Sequence, residues 1–225
     1  MDESRRHTLQ QLLAASLLSG AGISGLIRES LANANSPIMQ GIRKIRGEVH
    51  INEKVAHEGQ VVNPGDNVAT GPDGEAIYVI GHDAFLQRGD SVIRFGKDAA
   101  QDFFRVVSGK ILSVFGRGEK KLITPTATIG IRGTACYIET APRKVYFCLC
   151  YGVADVYPVA EPGRVEHIVT KHHDHPIYLH DDTGMPSMVG AEVINHTDAE
   201  LILLEGLTGR KPPFYDPTSN TSLYK

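Results

Sequence analysis

The sequence predicts an all-β fold, a compact antiparallel β sandwich or roll with one short helix near its C-terminus. Three observations carry that prediction. Short runs with apolar residues at alternate positions recur from Gly47 onward, Asp-Gly, Pro-Gly and Gly-Asp turns separate them, and helix signals are scarce before Thr197. The runs read, in order, GEVHINEKV, EAIYVIG, DAFLQRG, SVIRFG, FFRVVSGKILSVFG, KLITPTATIGIRGTACYIET and KVYFCLCYGVADVYP.

The N-terminal residues are set apart from this pattern. SRRHTLQ, Ser4 to Gln10, precedes an apolar run from Leu12 to Ile27 that is diluted by glycine and serine, and Ala32 and Ala34 then stand at the small-residue spacing of a cleavage site. The pair Arg5 and Arg6 resembles the paired arginines of twin-arginine export signals, with Thr8 where an aromatic is commoner. Residues 1–34 are therefore expected to be a signal peptide, which implies an oxidising, periplasmic destination and membrane contact only through this segment if it is uncleaved. The competing reading is an amphipathic helix or a membrane anchor. The run falls short of the ~20 apolar residues that span a bilayer.

Composition limits the function classes. The chain has 225 residues, 23 glycines, 12 prolines, no tryptophan and 41% hydrophobic residues, as in a turn-rich globular domain. A formal charge of -3 without any block of like charge supplies no basic patch of the kind phosphate backbones require, so nucleic acid is not an expected partner.

In the β region, Asn63-Pro64-Gly65-Asp66 and Pro72-Asp73-Gly74 each read as a turn, with proline presetting φ in both and glycine free to take a positive φ. GRGEKK is expected to be a hairpin turn, and Gly133 a point where backbones approach closely. Gly65 and Asp66, Thr70 and Gly71, Asp73 and Gly74, Gly109, Thr124 and Pro125, and the closing Arg132, Gly133 and Thr134 recur in an order that resembles the FecR domain. The resemblance covers residues 47–157. It implies a periplasmic β domain that binds or signals, and it brings no catalytic residues. The chain lacks room for the cytoplasmic segment and membrane helix usual in that family, so sigma-factor control is not implied. Residues 158–225 form a C-terminal extension. In it Thr197 and Glu200 match a capping box, a helix is expected over 198–207, Gly209 stands where it would stop, and Pro212 and Pro213 forbid continuation.

Chemistry concentrates in two places. GTACYIETAPRKVYFCLCYG reads as a hairpin turning near Ala141, Pro142 and Arg143, which sets Cys136 opposite Phe147 or Cys148. Cys148 and Cys150 share a strand face, and pairing of Cys136 with Cys148 would add the third sulfur. Three readings compete: buried packing, one disulfide from Cys136 to Cys148 or Cys150, and a thiolate site for a Zn, Cu or Fe ion. The second place is VTKHHDHPIYLH, which holds His172, His173, His175 and His180 among the chain's 10 histidines. An extended His173-Asp174-His175 would point two imidazoles one way, so His172, His173 and His175 are candidate ligands beside the cysteines; the alternative is a solvated loop. The expected function is a non-enzymatic exported domain acting in binding or signalling with an envelope protein or small ligand. The alternative is a redox or metal-handling protein using the face of Cys136, Cys148 and Cys150.

Overall fold

In a computed structural model, residues 37–97, 102–182 and 184–216 are described. The expected signal peptide, with Arg5 and Arg6, lies outside them. The described chain is all-β, as the alternation required: fourteen strands form one sheet, and one helix closes the chain.

The first seven strands are β1 (Gly41–Arg46), β2 (Val49–Ile51), β3 (Lys54–Val55), β4 (Asn67–Thr70), β5 (Glu75–Ile80), β6 (Asp83–Gln87) and β7 (Ser91–Lys97). β8 (Asp102–Val114), β9 (Glu119–Ile123), β10 (Ala127–Ala141) and β11 (Lys144–Pro158) follow. β12 (Glu166–Thr170), β13 (Ile177–His180), β14 (Met188–Gly190) and helix α1 (Asp198–Leu207) complete the elements of the described residues. The turns that the sequence marks are present. Gly65 takes φ 97° and the Asp66 N–H donates to the Asn63 carbonyl at 3.0 Å, while the Gly74 N–H donates to Gly71 at 2.9 Å.

The long strands change partners halfway. β8 pairs with β7 through Val92–Lys97, then with β6 and β10 beyond Gly109; β10 pairs with β9 before Gly133 and with β8 after it. Gly133 has φ 53° at a register shift, and a Cβ there would meet nothing closer than 3.9 Å. Its role is the positive φ that bends the strand, rather than the close backbone approach expected from sequence. GRGEKK is likewise no hairpin turn: it joins β8 to β9, and these run parallel.

The strand faces sort the apolar residues into two clusters. One holds Ile93, Phe85, Phe104, Ile129, Cys136, Phe147 and Leu149 inside the roll. The other, on the reverse face of β5, β6, β8, β10 and β11, holds Ile77, Leu86, Leu112, Tyr137, Cys148 and Cys150, and is covered by Leu201, Leu203 and Leu204 of α1. The C-terminal extension thus serves as a second layer. Tyr151 donates to the buried Glu205 carboxylate, and Arg88 reaches Glu200 at 2.8 Å and the Asn195 carbonyl at 2.9 Å.

Candidate metal centre

The β10–β11 hairpin turns at Pro142 and Arg143, with Arg143 at φ 61° and Ala141 paired to Lys144. This register sets Cys136 opposite Leu149 and Tyr137 opposite Cys148. Because side chains alternate, Cys136 points into the roll, away from Cys148 and Cys150 on the reverse face. The expectation of three sulfurs on one face is corrected. A bridge from Cys136 to either of the others would have to pass through the sheet, and all three thiols are free and fully buried.

What converges on Cys148 and Cys150 comes from the C-terminal extension. β13 pairs with β11 up to Phe147 and β12 pairs with it from Gly152, so the intervening loop crosses β11 at the two cysteines. There the His173 N–H donates to the Cys150 carbonyl at 2.9 Å, and Thr170 Oγ1 donates to Leu149 at 2.9 Å. The Asp174 carboxylate accepts the N–H groups of Lys171 (2.9 Å) and His172 (3.4 Å), which closes a tight turn, and His173 takes φ 53°. The backbone is therefore not extended. His173 turns inward, and His175 turns out beside Arg164 and Glu166. His172 stays at the edge, its ring 4.4 Å from Phe214 and its Nε2 2.8 Å from Asp198 Oδ1.

The fourth member is His196, which the sequence reading missed. It stands one residue ahead of the N-cap Thr197 and is 5% exposed, its ring stacked on Tyr137 at 4.7 Å. Cys148 Sγ, Cys150 Sγ and one ring nitrogen each of His173 and His196 all lie within 4.8 Å of one another. His173 Nδ1 is 3.5 Å from Cys148 Sγ and 3.0 Å from His196 Nε2. A tetrahedral zinc with usual bond lengths has edges of about 3.4 Å between nitrogens, about 3.6 Å between nitrogen and sulfur and about 3.8 Å between sulfurs. The two His173 separations stand near those values, and the others lie within 4.8 Å.

Hydrogen bonds fix which nitrogen of each ring is left over. His196 Nδ1 faces the Ile194 carbonyl at 2.6 Å and His173 Nε2 faces Asp198 Oδ1 at 3.3 Å, so both act as donors. The remaining nitrogens then face each other as lone pairs, an arrangement that needs a cation or a shared proton between them. The sulfurs add negative charge to the same spot. Hydrogen bonding from the Cys150 thiol, against the opposing effect of burial and with help from His173 and His196, draws the Cys148 thiol down to about 3. The Cys150 thiol has a second acceptor, the Cys148 carbonyl oxygen at 3.8 Å, and can donate to only one at a time. Burial works against a charged His173, but the Cys148 sulfur and the Asp198 carboxylate outweigh it and raise its pKa. Both shifts run in the direction that favours a thiolate beside a protonated imidazole when no metal is bound.

No protein-family model and no curated protein matches the sequence. Among solved structures, the chain is similar to a candidate anti-sigma factor from Parabacteroides distasonis ATCC 8503, in crystal structures at 1.65 and 2.50 Å resolution. The TM-score is 0.47 in both, with 10% identity over 56% of this chain. The match spans 59% of that protein's length.

Proposed function

We propose that this is a non-enzymatic FecR-like domain, exported to the periplasm, that acts in binding or signalling at the envelope and carries a Zn(II) centre of Cys148, Cys150, His173 and His196. The observation that carries the metal centre is the convergence of four soft donors, with both imidazoles keyed by outer partners so that their free nitrogens face inward. Two thiolates and two imidazoles gathered within 4.8 Å suit zinc best, with Fe and Cu(I) the other ions for such donors. Four protein ligands leave no open position, which is the form of a structural site. The order of turn and glycine residues from Gly65 to Thr134 supports the FecR-like reading, and Arg5 and Arg6 support export.

The low pKa of Cys148 favours a second reading, a redox thiol. Cys148, His173 and Asp198 also stand in the order of a thiol–imidazole–carboxylate relay. With Cys148 fully buried, a substrate has no surface of the sulfur to attack, which favours ligation over catalysis.

Metal analysis of the intact chain, purified without affinity histidines from fractionated cells, tests the proposal. We expect one zinc per chain, lost in C148S and H196A and kept in C136S and H175A, and recovery in the periplasm that requires Arg5 and Arg6. Zinc-free protein that also fails to take up Zn(II) or Co(II) would overturn the centre, as would full retention in H196A. Cytoplasmic retention of the zinc-loaded wild type would overturn export alone.

A further inference from the structure

A second site lies at one end of the roll, on the face opposite the metal centre. The β5–β6 turn, the β7–β8 ends and the β8–β9 connection surround a cavity of about 300 Å³. Phe85, Phe95, Phe104 and Phe115 wall it, and they hold one another in place: Phe85 lies 5.2 Å from Phe95, 5.8 Å from Phe104 and 5.9 Å from Phe115 between ring centres. Those rings are 2–7% exposed, whereas Phe103 at the opening is only half-buried. A mostly apolar cavity with a few polar groups at its mouth, at the small end of ligand pockets, is the usual form of a small-molecule site.

The polar groups at the mouth are unequal. Asp83 is already engaged on both oxygens, by the Gly116 N–H at 2.9 Å and by Lys120 at 3.0 Å, so that acid and that cation offset each other. Arg117 is exposed at the same mouth and makes no ion pair among the described residues. Among the described residues that line the mouth, the charge left without a partner is therefore a guanidinium, whose fork of donors matches a carboxylate.

We propose that this cavity binds a small amphipathic carboxylate, with an aromatic or similarly compact apolar body among Phe85, Phe95, Phe104 and Phe115 and the carboxylate on Arg117. The walls select size and apolarity, and the arginine selects charge. The site is separate from the metal centre and does not depend on it.

The test uses the full chain and three probes of one shape, 4-phenylbutyrate, its neutral amide and 4-phenylbutylamine, in calorimetric and NMR titrations. The carboxylate should bind saturably, shift the resonances of the four walling phenylalanines, and bind at least five-fold more tightly than the amide, with the amine weakest. Because Arg117 is exposed, R117E should fold as wild type and lose that preference. Ile80→Trp, at the cavity wall, should block all three probes. Absence of saturable binding overturns the site, and so do shifts that map elsewhere. Equal affinities for the three probes, unchanged in R117E, overturn the assignment of charge.

Discussion

At the scale of single residues, Asp198 holds the outer side of His173, one ligand of the proposed centre. Its carboxylate takes the outer nitrogen of His173 and also that of His172, and it stands in the first turn of α1 where negative charge is favoured. Asp198→Asn keeps size and shape but removes the charge that makes His173 a good ligand. The expected result is one metal per chain with affinity about 10–100-fold lower, read by competition with a chromophoric chelator, and little change in far-UV circular dichroism. Unchanged affinity would show that His173 needs no such support. The contrast between Cys148 and Cys136 also shows what was legible at this scale. That Cys148 and Cys150 share a face follows from alternation alone. The face of Cys136 depends on which two residues form the hairpin turn, a one-residue matter that the segment Ala141-Pro142-Arg143 leaves open. His196 lies far along the chain from the other ligands, so no spacing pattern links it to them. Its one sequence signal is its place just before a capping box, where helix entry fixes the direction of the chain.

At the scale of elements, α1 is the part most fully written in the sequence. Thr197 Oγ1 accepts the Glu200 N–H at 3.4 Å, and Glu200 Oε2 accepts the Thr197 N–H at 3.0 Å, as the Thr-x-x-Glu spacing requires. At the far end Gly209 takes φ 72°, with the Arg210 N–H on the Glu205 carbonyl and the Gly209 N–H on that of Gly206, which is a Schellman closure. The cap lies between His196 and Asp198, so it sets the angle of one ligand of the proposed centre and of the carboxylate that holds another, His173, at once. Thr197→Ala should cost about 1 kcal/mol in urea unfolding with an unchanged slope. It should also weaken metal binding, whereas an effect on stability alone would mean that His196 is held by its stacking on Tyr137. The strands were legible from periodicity, but their bends were not. Gly109 and Gly133 mark the places where β8 and β10 change partners, yet a glycine in a strand pattern does not say whether it serves a bend or a close contact.

At the scale of the whole molecule, the β domain has apolar residues on both faces of its central strands, and the C-terminal extension covers the second face. Two kinds of tie hold that cover down. Tyr151 with Glu205 and Arg88 with Glu200 are polar ties that need no ion, while the contacts of Cys148 and Cys150 with His173 and His196 would be strengthened by the ion of the proposed centre. An ion present at 100 times its dissociation constant stabilises the folded form by about 2.7 kcal/mol, which for a chain of this size corresponds to a melting shift of about 5–10 °C. Chelation should lower the melting temperature by that amount. It should also loosen the cover locally, ahead of global unfolding, because the roll on the other side of the sheet holds no ligand. Thiol alkylation under native conditions reads the difference directly. With metal bound all three cysteines should be protected. After chelation Cys148 and Cys150 should react while Cys136, packed inside the roll beside Leu149, stays protected. If the three were instead to react at one common rate, the extension and the roll would be a single cooperative unit and the ion no latch between them.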